Sequence, residues 1–277
     1  MIKSLRIAIV ADNHAESPDF IPEHGLALWL EADNRHVMFD TGQGTNLLAN
    51  AGALGLPLEK LDAVILSHGH YDHSGGLNML MELSPRAKIY MHPAAVMARY
   101  SIQADGTSQY IGIPEKVMAR LQKEPERIVS VTAPTEIFPG FWVTGPIPRL
   151  SVEEGREEDF VSDSINRTVD NIPDDQALFI KTALGGITLL GCTHSGVSNT
   201  LEHIRNLFGE ERKLLVMGGF HLLHAGAENI NRAIMALKAF GVEKIAPCHC
   251  SGDAFTAEVS SRFPGFVKCG AGTSLRM

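Results

Sequence analysis

Three histidines and one aspartate fall within six residues, at His68, His70, Asp72 and His73, in the stretch SHGHYDHSGG that spans residues 67–76. Neutral imidazole and carboxylate are the common ligands of zinc and its first-row neighbours. Four unrelated core or surface residues would rarely crowd in this way. The stretch comes directly after the apolar run at residues 63–66, and a strand that stops abruptly delivers the next few side chains to one point. The chemistry such a cluster offers is that of a metal centre.

Three further histidines occupy comparable places. His194 follows TLLGC, His221 follows LLVMGG and His249 follows EKIAP, each after an apolar strand-like run and before a helical stretch. That loop position is where α/β folds put their chemistry. Together these residues hold donors enough for two ions. Two divalent ions about 3.5–4 Å apart lower the pKa of a shared water to about 7 and polarise a substrate oxygen, so hydrolysis of an ester, phosphoester, thioester or amide is the expected reaction class. Neither a Ser-His-Asp arrangement nor a phosphate-cradling GxxxxGK loop competes with it.

The elements that must position these residues alternate as in an α/β chain. Residues 5–10 read as a first strand. Residues 26–30 and 36–39 read as a hairpin around the polar turn at 31–35, followed by a helix near 45–51, a strand at 63–66 and a helix near 75–83 that Asp72 or Ser74 caps. The order recurs later. Residues 177–182 and 187–190 flank Gly185 and Gly186 as a second hairpin, then come a helix near 198–208 and a strand at 213–217. ALWLEADNRHVMFDTGQG in the first half lines up with ALFIKTALGGITLLGCTHSG in the second. Two such halves would pack sheet against sheet with helices outside, and their strand ends would meet at one edge.

Composition sets the limits. The 277 residues are 44% hydrophobic and 20% charged, as in an ordinary globular protein with a large core. A formal net charge of −8 argues against nucleic acid as a partner, because phosphate backbones need a basic face. No stretch approaches the ~20 apolar residues that span a bilayer. The apolar run at residues 7–11 is too short for a secretory signal. Cys192, Cys248, Cys250 and Cys269 form no small-secreted-domain framework, and a reduced, cytoplasmic protein is expected.

HGHYDH fits the HxHxDH signature of the metallo-β-lactamase superfamily, and MFDTG, GCTHSG and PCHC stand in the order of that superfamily's other site segments. DDQALFI, GGFHLL and PCHCSG resemble its branch of methanopterin-synthase-like, metal-dependent hydrolases. The resemblance covers nearly the whole chain. It implies an αββα four-layer sandwich, a single domain over residues 1–277, and one or two divalent metals, zinc first and iron or manganese next. Carried over residue by residue, it gives one metal to His68, His70 and His194 and the other to Asp72, His73 and His249. Extended backbone turns side chains two apart the same way, which suits His68 and His70 to one ion. Asp40 would orient a ligand histidine, while His24 and Asn13 would line the pocket.

The chain departs from the superfamily pattern at residues 218–221, where Gly218, Gly219, Phe220 and His221 stand in the place expected of a bridging carboxylate. His221 is expected to contact a metal or its water, and with Asp72 to take part in catalysis, while the second ion is held more weakly. Cys248 and Cys250 flank His249 without a partner CxxC and are read as outside the centre. Residues 93–149 break the two-half pattern where the superfamily inserts a substrate-facing lid. Arg99, Tyr100, Tyr110 and Arg149 are its candidates for touching a small, anionic substrate. The resemblance also implies an alternative, a transferase joining a pterin diphosphate to an aminobenzene ribosyl phosphate; a reading from another class is a non-catalytic ligand sensor that keeps the fold and one structural metal. His14, His36, His92, His203 and His224 are read as structural.

Overall fold

Strand residues alternate between two faces, and in this chain both faces are apolar, so each sheet must be covered twice. The computed structural model describes residues 2–150 and 159–277. Its first part runs β1 (Leu5–Ala11), β2 (Ala27–Ala32), β3 (Arg35–Phe39), α1 (Leu47–Ala53), β4 (Ala63–Ile65), α2 (Tyr71–Ser74), α3 (Leu77–Leu83) and β5 (Lys88–Met91). Then come β6 (Tyr100–Ile102), β7 (Ser108–Tyr110), α4 (Glu115–Lys123), β8 (Ile128–Ser130), β9 (Thr135–Phe138), β10 (Phe141–Val143) and β11 (Phe160–Val161). The last part is β12 (Leu178–Lys181), β13 (Gly186–Leu190), α5 (Val197–Phe208), β14 (Lys213–Gly218), α6 (Ala227–Ala239), β15 (Lys244–Pro247), α7 (Asp253–Arg262) and β16 (Ser274–Arg276).

Seven strands form one sheet in the order β16-β1-β2-β3-β4-β5-β8, and six form another in the order β15-β14-β13-β12-β10-β9. The two are built alike. In each, an antiparallel hairpin (β2 with β3, β12 with β13) is extended by parallel strands, β4 and β5 in one and β14 and β15 in the other. Alternation then sorts the side chains into layers. Ile7, Ile9, Leu28, Leu30 and Phe39 meet Val143, Leu178, Ile180, Leu189 and Met217 between the sheets. Their neighbours Ala8, Val10, Trp29, Met38 and Val64 face out onto α1, α3 and α4, while Val216 and Ile245 face α5, α6 and α7. The result is the four-layer αββα sandwich expected from the sequence.

Two details differ from the sequence reading. Neither Asp72 nor Ser74 caps the helix after the histidine cluster, because that helix is broken: α2 starts after His70 and α3 after Gly76, and the Ser74 hydroxyl instead donates to the His70 carbonyl at 2.7 Å. Residues 93–149 are not one lid. β8 adds in parallel to β5, α4 packs on the first sheet's outer layer, and β9 and β10 extend the second sheet. Only β6 and β7, joined by β11, leave the body as a separate three-stranded sheet.

Candidate metal centre

The histidine loops are fixed from behind. A Cβ at Gly69 would lie 2.0 Å from the Ala95 carbonyl oxygen, so the residue between His68 and His70 has to be bare. The Gly69 amide donates to Asp174 Oδ2 at 2.8 Å, and Gln176 bonds the carbonyls of Leu66 and Ser67 through its side chain and its amide. Asp175 Oδ2 in turn accepts from the Ser195 amide at 2.7 Å, beside His194. Residues 174–176 thus tie the loops of both halves together. On the other side of Asp174 sits Arg99, which is only 1% exposed, donates to both oxygens of Asp174, and has its Nε 3.0 Å from Asp170 Oδ2.

Asp40, Thr193, His221 and His249 come after β3, β13, β14 and β15, and each has a positive φ, between 51° and 66°. Left-handed backbone costs a residue with a Cβ roughly 1–2 kcal/mol, and it turns the chain sharply at the strand end. At all four the turn aims side chains at one edge of the sandwich.

There the donors fall into two groups. His68 Nε2 lies 3.0 Å from His70 Nδ1 and 3.2 Å from His194 Nε2. His73 Nε2 lies 3.2 Å from His249 Nε2, and Asp72 Oδ2 lies 3.6 Å and 3.3 Å from those two nitrogens. Ligands on one tetrahedral ion with bonds near 2.1 Å are about 3.4 Å apart, so both groups have the spacing a small cation requires.

The outer hydrogen bonds decide where the protons are. Ser67 donates its hydroxyl to Asp40 Oδ2 at 2.7 Å, so the 2.8 Å contact between Ser67 Oγ and His68 is a donation from His68 Nδ1. His73 Nδ1 donates to Asp40 Oδ2 at 2.7 Å, and His249 Nδ1 to Asn13 Oδ1 at 2.8 Å. Each ring therefore turns its Nε2 toward the centre, as a lone pair whenever the ring is neutral. Neutral rings facing one another there repel unless a cation lies between them, a proton on His73 or a metal ion, and the donor set fits a divalent metal on that ground.

Burial pushes the pKa values of His68 and His70 well below the usual histidine range, the neutral form that a metal needs. Burial alone would also lower His73 and raise Asp72. For His73 the Asp72 and Asp40 carboxylates outweigh it and raise the pKa to about 9. For Asp72 the His73 and His249 imidazoles outweigh it and hold the carboxyl well below its usual range.

One donor escapes the sequence reading. The buried Cys192 Sγ lies 3.0 Å from His73 Nε2 and is grouped within 4.8 Å with His68 and His194, with Asp72, His73 and His249, and with His221 and Cys250. In sequence, a lone thiol ending an apolar strand looks like core. His221 lies beside the first group, its ring centroid 4.5 Å from that of His194. Cys248 points into the core between the sheets, whereas Cys250 stands with His221.

A cavity of about 690 Å³ opens onto these groups, with His24, His70, Asp72, Cys192, His194, His221 and His249 on its wall. His24 is at its edge, with Nε2 3.3 Å from Asp72 Oδ2, and Asn13 is behind it. The four expected substrate contacts are elsewhere. Arg99 is turned inward onto its carboxylates, Tyr100 packs edge-on against Tyr110 away from the wall, and Arg149 donates to the carbonyls of His194 and Asn171 at 2.8 Å and 2.7 Å. The small sheet contributes Ser101, Ile102, Gln103, Gln109 and Phe160 instead. Phe160, whose ring centroid is 5.4 Å from that of His70 and 5.7 Å from that of His194, carries no signal in the sequence that marks it. His224, read as structural, also lines the cavity, as does Arg232.

The family model described as metallo-beta-lactamase superfamily matches residues 21–249. An uncharacterized protein of Methanocaldococcus jannaschii is 33% identical over 89% of this chain and 90% of its own length. From the same organism, 7,8-dihydropterin-6-methyl-4-(beta-D-ribofuranosyl)-aminobenzene-5'-phosphate synthase is 30% identical over 93% of this chain and 90% of its own length. Among solved structures, Tm1679, described as a metal-dependent hydrolase of the beta-lactamase superfamily, superposes with a TM-score of 0.81 at 30% identity, covering 98% of each chain. Among the described residues, no helix is long and apolar enough to cross a membrane.

Proposed function

The chain belongs to the metallo-beta-lactamase superfamily, and on that premise we propose that it is a metal-dependent hydrolase of a small-molecule ester, phosphoester or related compound. One observation supports this above the rest: the Nε2 atoms of His68, His73 and His249 all point into the same buried space, each ring fixed by a hydrogen bond at Nδ1. In this reading His68, His70 and His194 hold one divalent ion, and Asp72, His73 and His249 hold a second. Zinc is the first choice, with iron and manganese next. Ions bound there supply Lewis acidity and bring the pKa of water near 7.

The chain's own residues do the rest. Asp40 and Asn13 fix the histidine tautomers. Phe160 shields the rings of His70 and His194 from bulk water. His24 Nε2 offers a proton route between Asp72 Oδ2 and the cavity, and burial keeps its pKa below the usual value, so it is neutral when it accepts. His221 faces the substrate from the wall. A cytoplasmic, reducing setting belongs to the same proposal, since the buried thiols beside these histidines must stay reduced.

The test is elemental analysis of protein purified without added metal, paired with a panel of ester, thioester and phosphodiester substrates. Protein that takes up no metal and turns over none of the panel would sink the reading. A second reading is favoured by one observation, the 30% identical relative whose name is that of a synthase. Supplied with a pterin diphosphate and an aminobenzene ribosyl phosphate, a transferase gives the condensed product and releases diphosphate. A hydrolase gives cleaved pterin with diphosphate or phosphate, and no condensed product.

Two expected results arise here. His221→Ala should lower turnover by about 10²-fold, as for a lost acid, base or substrate donor, with metal content unchanged. Unaltered rates on every substrate of the panel would make the residue structural. Metal affinity of the second group should depend on pH. In the metal-free protein His73 keeps a proton up to about pH 9, and an ion must displace it. Affinity should therefore rise about tenfold per unit as pH climbs toward about 9, then level off. Competition with a chromophoric chelator across that range reads this directly, and a flat profile contradicts it.

A further inference from the structure

We propose that Cys192 is a metal ligand, its thiolate bridging the two ions. This rests on reading the two donor groups as ion sites. Cys192 Sγ belongs within 4.8 Å both to the set with His68 and His194 and to the set with Asp72, His73 and His249, and it stands 3.0 Å from His73 Nε2. It is reduced and buried, at the end of β13, where the backbone turns left-handed at Thr193 to carry His194 past it.

Charge asks for such a group. Two divalent ions bring four positive charges, and the six other donors supply a single negative one, on Asp72. A neutral imidazole has one lone pair free and cannot hold both ions. A thiolate keeps lone pairs after its first bond and adds a second negative charge. No side chain can be accommodated at Gly219, since a Cβ there would lie 2.4 Å from the Gly191 carbonyl oxygen and 2.6 Å from Cys250 Sγ. Gly218, whose Cβ would lie 2.1 Å from the Leu190 carbonyl oxygen, and Gly219 therefore cannot carry a bridging carboxylate, and the neighbouring strand end carries the thiol. A soft bridge of this kind favours zinc or iron over manganese or magnesium.

Cobalt(II)-loaded, full-length protein provides the test. The wild type should bind two ions and show the near-ultraviolet absorption of thiolate-to-cobalt charge transfer. Cys250→Ser should keep that band and Cys192→Asp should lose it while still holding two ions. Cys192→Ser should lose both the band and about one ion per chain. Persistence of the band in either Cys192 variant, its loss in Cys250→Ser instead, or two ions bound with no band at all would overturn the bridge while leaving the ion sites intact. A wild type that binds no cobalt would overturn both. Should Cys192→Ser fail to fold by circular dichroism, the other three spectra still decide.

Discussion

His68→Ala is expected to strip one ion from each chain and to lower turnover by roughly 10³-fold or more. Removing an outer partner of a metal ligand typically costs 10–100-fold in affinity or activity, and a ligand shared by a whole group should cost more than that. His68 is the pivot of the first group, since its Nε2 is the atom that His70 Nδ1 and His194 Nε2 both approach, at 3.0 Å and 3.2 Å. Without it the first site loses the imidazole that the other two approach, and its ion is held by one protein ligand fewer. Circular dichroism separates this from unfolding, and elemental analysis counts the ions. Full metal content with undiminished turnover would contradict the assignment of the first site.

Arg99→Ala is expected to destabilise the fold by about 3–5 kcal/mol, the usual cost of leaving a buried charge without its partner. Asp170 and Asp174 are both buried, and the guanidinium is what faces them. At roughly 2–4 °C per kcal/mol for a chain of this size class, the melting temperature should fall by roughly 10 °C. Lysine should not rescue it, because one ammonium cannot serve two carboxylates as a planar fork does. The loss should extend to the centre, since Asp174 also holds the Gly69 amide between the first two histidines. A melting temperature within about 2 °C of wild type would show that the triad carries little.

How much of the molecule is legible in the sequence depends on what each residue's role requires. The two hairpins and the cluster from His68 to His73 are readable because their signals are local, a period of two or a spacing within six residues. His194, His221 and His249 are readable because strand ends are visible as apolar runs that stop. Cys192 is not, since a thiol after Leu190 and Gly191 looks like core until the other sheet brings His68 and His73 to it. Arg99 and Tyr100 are misplaced for a related reason: a charge or a ring in a polar stretch does not reveal which way it faces. That direction is set by Asp170 and Asp174, about 70 positions away. The segment 93–149 is overextended because β8 returns to the first sheet across a helix, leaving no mark in composition.

The left-handed turns at Asp40, Thr193, His221 and His249 have a consequence for anyone who would redesign the protein. At those positions the backbone alone would choose glycine, which adopts such angles without the penalty of roughly 1–2 kcal/mol that a Cβ brings. A procedure that scored backbone angles alone would write glycine at all four. Two of the four would delete a donor or the carboxylate that orients one, and a third the histidine on the cavity wall, so a sequence chosen on backbone angles alone would have its centre erased.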